Sequence, residues 1–171
     1  MKVSNEKGNV FKIIDQYTEQ AEKIVMGVGL LAISAIVFIN VILRYFFEAS
    51  LVWSEELARY IVVWVTFFGI SSCARYNGHV IVDLLPNKLK GNSKYIQGLV
   101  VLIISLGLSI YLAYLSVQFT ITQFIAGNTS IAIAIPIWII YLSTAVGFTL
   151  MSYVYARKTV KHIMDRKEVS A

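Results

Sequence analysis

Charge is what this 171-residue chain is short of. Only 15% of its residues are Asp, Glu, Lys or Arg, against about 25% in an ordinary soluble domain. A single cysteine, Cys73, excludes an internal disulfide and an all-thiolate metal site, and it is expected to be an inert buried thiol. Two prolines and ten glycines are too few for a disordered or collagen-like chain. Missing too are a phosphate-binding G-x-x-x-x-G-K-[ST], a nucleophile elbow, HExxH and any Cys pair, the usual energy-coupling and catalytic devices. No enzyme and no cofactor are expected. What the chain has instead is apolar surface, with 57% of its residues hydrophobic.

That surface comes in blocks. Ile24 to Leu43 carries no charge, and its polar side chains are Ser34 and Asn40. Residues 95–156 contain no Asp, Glu, Lys or Arg, enough for two membrane spans of about 20 residues and a turn. Leu57 to Ala74 is the weakest block because Arg59 interrupts it. Its charge-free part covers about 22 Å at 1.5 Å per residue, so Arg59 belongs near a membrane face or snorkels to it. Gly127-Asn128-Thr129-Ser130 is the turn within the uncharged stretch. Pro136 suits the first turn of the span that follows, with Ile131 to Ile135 as a short extended lead-in. The expectation is an all-α membrane protein with four transmembrane helices at about 24–43, 57–75, 96–119 and 136–156. Residues 1–23 form a leader and 157–171 a basic tail.

Topology follows from where the bases sit. Lys and Arg number four before the first span, two after it, four in the central loop, none in the next connection and five in the tail. Bases accumulate on cytoplasmic flanks, so both termini and the central loop are expected in the cytoplasm. The net charge of +5 is then a topology feature, and no nucleic-acid partner is expected. The leader contains Glu6, Asp15, Glu19 and Glu22, unlike a cleaved signal peptide, and is read as retained. Phe11, Ile14, Thr18, Ala21 and Val25 recur at helical spacing. This fits either an amphipathic interfacial helix or a plain extension of the first span.

Polar candidates are few. Around the outer end of the second span, Ser54 can cap the helix and Glu55 and Glu56 suit its first turn, with Glu55 and Arg59 spaced as an i,i+4 ion pair. Two adjacent carboxylates also suit acid/base or cation-binding work, but no second outer acidic cluster completes such a site. At the inner end, Arg75, His79 and Asp83 recur every four residues. On an unbroken helix they share a face and suit a proton relay or metal site; if Gly78 stops the helix they are a charged helix end. Asn40 and Arg44 form a further i,i+4 pair, with Asn40 expected to hydrogen-bond across to another helix. Ser105/Ser109 and Ser143/Gly147 permit close helix packing. Trp53, Tyr95, Trp138 and Tyr155 suit the interfacial aromatic belt. Trp64, mid-span, suits packing against lipid or a partner helix.

Taken in order, these residues carry a resemblance. Asn40-x-x-x-Arg44-Tyr45, Trp53-x-Glu55-Glu56-x-Ala58-Arg59, Gly69, Arg75, His79, Asp83, Ile135-Pro136-x-Trp138-x-x-Tyr141 and Gly147 resemble the small membrane subunit of tripartite ATP-independent periplasmic (TRAP) transporters, the DctQ-like family. The likeness runs from about Ile24 to Tyr155. It implies a scaffold subunit of the bacterial inner membrane, partnered by a large multi-span subunit that holds substrate and sodium sites. It also implies a periplasmic substrate-binding protein, a C4-dicarboxylate or sialic acid as substrate, and lipid around the complex. The short separate chain resembles the sialic-acid systems most. By family position Arg44, Trp53, Glu56 and Arg59 are contact or docking residues, not catalytic ones. Two other readings of the residues stand beside this: a redox anchor holding haem through His79 and His162, and a small transporter or channel formed by self-assembly.

Overall fold

The computed structural model describes residues 3–49, 51–76 and 92–169, with side-chain surroundings for 15–49, 51–76 and 95–164. Among them are four helices: α1 (Val3–Phe47), α2 (Val52–Tyr76), α3 (Asn92–Ala126) and α4 (Trp138–Val169). All four contain segments long and apolar enough to cross a membrane, at Asp15–Phe47, Val52–Tyr76, Tyr95–Ala126 and Trp138–Met164. The described residues form no strand; they include one isolated bridge, Thr129 to Pro136. The protein is an all-α membrane protein.

The helices outrun their apolar runs. The leader and first span are one continuous helix of 45 residues, so the leader extends the span. Hydropathy marks only the part of a helix that suits hydrocarbon, while backbone hydrogen bonding carries the helix on into charged sequence. α1 stops where Glu48 turns to a φ of 50° and the Ala49 N–H reaches back to the Leu43 carbonyl at 3.2 Å, a left-handed C-terminal cap. α3 stops in the same way at Gly127, φ 64°, at the turn the sequence suggested.

Two local expectations change. Pro136 precedes α4 and does not lie in its first turn, because the 127–137 connection folds on itself. The Ser130 N–H donates to Ile135 O at 2.9 Å and the Ile137 N–H to Asn128 O at 3.0 Å, which holds Pro136 opposite Thr129. Ser54 does not cap α2. The helix begins two residues earlier, and the Ser54 hydroxyl donates to Leu51 O at 2.7 Å.

Among the described residues the main helix contacts form a row, with Arg157 of α4 also reaching Asp15 of α1 at one end. α1 packs on α2, α2 on α4, and α4 on α3. The fully buried side chains are small or polar: Ser54, Ser71, Ser109 and Ser143, together with Glu22. Large apolar side chains face outward, as Leu31 (73% exposed) and Phe38 (66%) show. This pattern suits lipid, where small residues let backbones approach and burying apolar groups brings no advantage over leaving them in acyl chains. α2 and α4 approach closely at Gly147, where a Cβ would meet Phe67 O at 2.7 Å; Phe67 also packs edge-on against Phe148. Cys73, expected inside, is exposed, because α2 buries its neighbours Ser71, Ser72 and Ala74 instead.

Candidate functional site: polar clusters at the two ends of the row

The end of α2 that carries Arg75 holds a buried ionic cluster. Asp15, Thr18 and Glu22 lie at i, i+3 and i+7 of α1, hence on one helical face. Arg75 lies across that face. Its Nη1 donates to the Asp15 carboxylate, and its Nη2 donates to Thr18 Oγ1 at 3.3 Å and to Glu22 Oε1 at 3.1 Å. Ser71, one turn earlier on α2, donates to the same Glu22 oxygen at 2.7 Å. α4 closes the cluster: Arg157 pairs with the second Asp15 oxygen, and the Lys158 ammonium donates to the Ala74 carbonyl. The Glu22 side chain is 1% exposed and that of Arg75 10%, so this pairing is screened little by water. Glu22 Oε2, Arg75 Nε and the Tyr153 hydroxyl are buried with no hydrogen-bond partner among the described residues. Just outside, Glu19 accepts from Lys23 at 2.7 Å and from the Tyr76 hydroxyl.

The opposite end is organised around Asn40 and Glu56. Asn40 Oδ1 accepts from the Leu51 N–H at 3.0 Å and so ties the end of α1 to the backbone just ahead of α2. Glu56 accepts from the Tyr60 hydroxyl, and its Oε2 accepts from the Ala132 N–H at 2.8 Å, pinning the 127–137 connection onto α2. Trp138 opens α4 edge-on to Phe124, and Tyr141 packs edge-on to Phe119. From Glu56 to Arg75 is about 28 Å along α2, and from Glu22 to Asn40 about 27 Å along α1. The two polar ends are thus one hydrocarbon thickness apart.

Several sequence candidates land elsewhere than expected. Among the described residues no ion pair joins Glu55 to Arg59, and both are exposed; Arg44 and Trp53 are exposed as well. Asn40 serves the turn and does not pair with Arg44. His79 and Asp83 lie outside the described residues, and the partners of Arg75 among the described residues come from α1. His162 stacks on Tyr95, its Nε2 lying 3.3 Å from Tyr95 O. No group of three or more His, Cys, Asp or Glu placed to hold a metal ion occurs among the described residues. The sequence reading did not single out Asp15, Glu22, Ser71, Tyr60 or Arg157. The seven-residue spacing of Asp15 and Glu22, two acids on one face beside an uncharged run, was the available cue.

With this geometry in hand, comparison with known proteins is decisive. A family model for the DctQ component of tripartite ATP-independent periplasmic transporters matches residues 33–164. The chain belongs to the DctQ family. It is 26% identical over 153 residues to the ectoine TRAP transporter small permease protein TeaB of Halomonas elongata, covering 90% of this chain and 79% of that one. It is 28% identical over 137 residues to the isethionate TRAP transporter permease protein DctMQ of Oleidesulfovibrio alaskensis, covering 77% of this chain and 22% of that one. To the sialic acid TRAP transporter permease protein SiaT of Haemophilus influenzae it is 36% identical over 72 residues, 42% of this chain and 12% of that one. As a DctQ-family chain with four spanning helices it is a TRAP transporter small permease subunit of the inner membrane, and not an enzyme. Small subunits of this family pair with large permease subunits and periplasmic binding proteins.

Proposed function

We propose that this chain is the stationary scaffold of an ion-gradient-driven, sodium-coupled TRAP importer for an organic acid of the C4-dicarboxylate or sialic-acid kind. The observation that carries the reading is the row of helices, whose ionic and capping clusters among the described residues lie at its two ends. A layer one helix thick has no room for a solute pathway, and its mid-section offers lipid or a partner an apolar face. The large subunit would then hold substrate and sodium sites, and a periplasmic protein would deliver the solute. Relatives whose names give ectoine, isethionate and sialic acid support a small polar organic solute.

In this reading both termini and the Arg75 cluster face the cytoplasm, in keeping with the distribution of Lys and Arg. Asn40, Arg44, Trp53, Glu55, Glu56 and Arg59 then face the periplasm beside Trp138 and Tyr141, and the exposed members meet the large subunit or the binding protein. Arg75, with His79 and Asp83, belongs to the inner face. The deciding experiment is reconstitution in liposomes. Solute uptake should require this chain, the large subunit, the binding protein and a sodium gradient together. Flux through liposomes holding this chain alone would refute the scaffold role.

A further inference from the structure

Eight residues before the end of α3, about 12 Å along its axis, Gln118 stands exposed on a spanning helix. Its Nε2 donates to the Tyr114 hydroxyl at 2.6 Å. Among the described residues the amide has no other partner, although a glutamine offers two donor hydrogens and a carbonyl with two lone pairs. Tyr114, one turn deeper, is itself 58% exposed. An amide and a phenol thus sit on the outside of the row within the apolar stretch Tyr95–Ala126, and hydrocarbon around such a stretch supplies neither donor nor acceptor. Gln118 also lines an open groove of about 510 Å³ between α3 and α4, with Phe119 and Thr122 on its own side and Tyr141, Thr144 and Phe148 opposite. The Thr122 and Thr144 hydroxyls are already bonded to carbonyls of their own helices, at 2.9 and 2.6 Å. The Ser116 hydroxyl is bonded within its helix too. This leaves the Gln118 amide and the Tyr141 hydroxyl as the groove's polar groups with bonds to spare among the described residues. Tyr114 stands beside the groove as the partner of Gln118.

An acyl chain would fill such a groove and leave the amide unmet. A protein helix carrying one polar side chain would meet both needs, as interhelical hydrogen bonds do in membranes. In the relative from Oleidesulfovibrio alaskensis the matched region is 22% of a longer permease polypeptide, so further permease sequence is joined to it in one chain. We propose that the α3–α4 groove seats a transmembrane helix of the large permease subunit, which hydrogen-bonds Gln118 and Tyr114. The inference rests on the small-subunit reading of the chain.

The test uses the tagged full chain expressed with its large subunit in bacterial membranes. The photoreactive p-benzoylphenylalanine is placed at position 118 or 122, and adducts are identified by mass spectrometry after irradiation. A covalent adduct with the large subunit is expected from both positions. Adducts with a second copy of this chain, or with lipid alone, overturn the proposal. Copurification with the unaltered chain separates the two levels. Absence of the large subunit sinks the partnership itself, whereas an intact complex without an adduct at 118 sinks the groove assignment. Gln118→Leu should lower the yield of the complex about three- to tenfold, the scale of one interhelical hydrogen bond, while the chain alone still elutes as a single species. An unchanged yield overturns the proposal.

Discussion

Glu22 is fully buried and Arg75 is its counter-charge, with Nη2 and Oε1 3.1 Å apart. The same guanidinium spans two turns of α1 to reach Asp15. A planar fork with five donors suits bridging two acids in this way better than a compact ammonium with three.

Arg75→Ala should therefore be severe. It strands a buried carboxylate, at a cost of about 3–5 kcal/mol, and the thermal midpoint of the detergent-solubilised protein should fall by on the order of 10 °C. Arg75→Lys should recover only part of this, and Arg75→Met combined with Glu22→Leu most of it. An Arg75→Ala midpoint within 1–2 °C of the parent would show that the cluster contributes little.

Two glycines give opposite expectations. A Cβ at Gly147 would meet the Phe67 carbonyl and Cβ at 2.7 and 2.8 Å, backbone that cannot swing aside. Gly147→Ala should cost about 1–3 kcal/mol through forced separation of α2 and α4. At Gly107 an added methyl meets nothing within 4 Å, so Gly107→Ala should be neutral or stabilise by about 0.5–1 kcal/mol through helix propensity. Thermal midpoints of the two variants measured side by side check the contrast.

At the other end, Asn40→Ala removes the acceptor for the Leu51 N–H and should cost about 1 kcal/mol. Asn40→Asp, which keeps an acceptor oxygen, should cost less. Hydrogen exchange at the Leu51 amide reads this directly and should accelerate in the alanine variant only.

Glu56→Ala releases the Ala132 N–H, so amide exchange across 130–134 should rise while that of mid-helical α2 stays unchanged. Tyr60→Phe removes one donor to Glu56 but leaves the Ala132 bond, and should leave the connection protected. Equal exchange in all three proteins would show that the connection holds itself through Ser130, Ile135 and Ile137.

How much of this could be read in advance divides along physical lines. Hydrophobic runs are local, so Ile24–Leu43, Leu57–Ala74 and the uncharged 95–156 were enough to place four helices and the Gly127 turn. Ion pairing across helices is not local. Spacing along one chain offered Arg75 the nearby His79 and Asp83, yet its partners Asp15 and Glu22 stand 60 and 53 residues away in sequence. They come into reach only once α1 and α2 lie antiparallel. The Glu55–Arg59 pair failed for a related reason: correct spacing allows an exposed pair without compelling it, since the gain is only a few tenths of a kcal/mol. Cys73 was misplaced because residue type alone gives no hint of which face of α2 is inward, and that face takes Ser71, Ser72 and Ala74.

The row of helices also has the mechanics of an open book. The α1–α2 and α3–α4 hairpins are its two leaves, and the line where Gly147 meets Phe67 is the spine. Arg157–Asp15 and Lys158–Ala74 clasp the leaves at one edge, and Glu56–Ala132 clasps them at the other. A closed bundle would resist any change of angle between its halves through several seams at once. Here, among the described residues, one seam and two edge clasps hold that angle, so a small residue at the spine and a few charged side chains at the margins bear on how the two leaves sit.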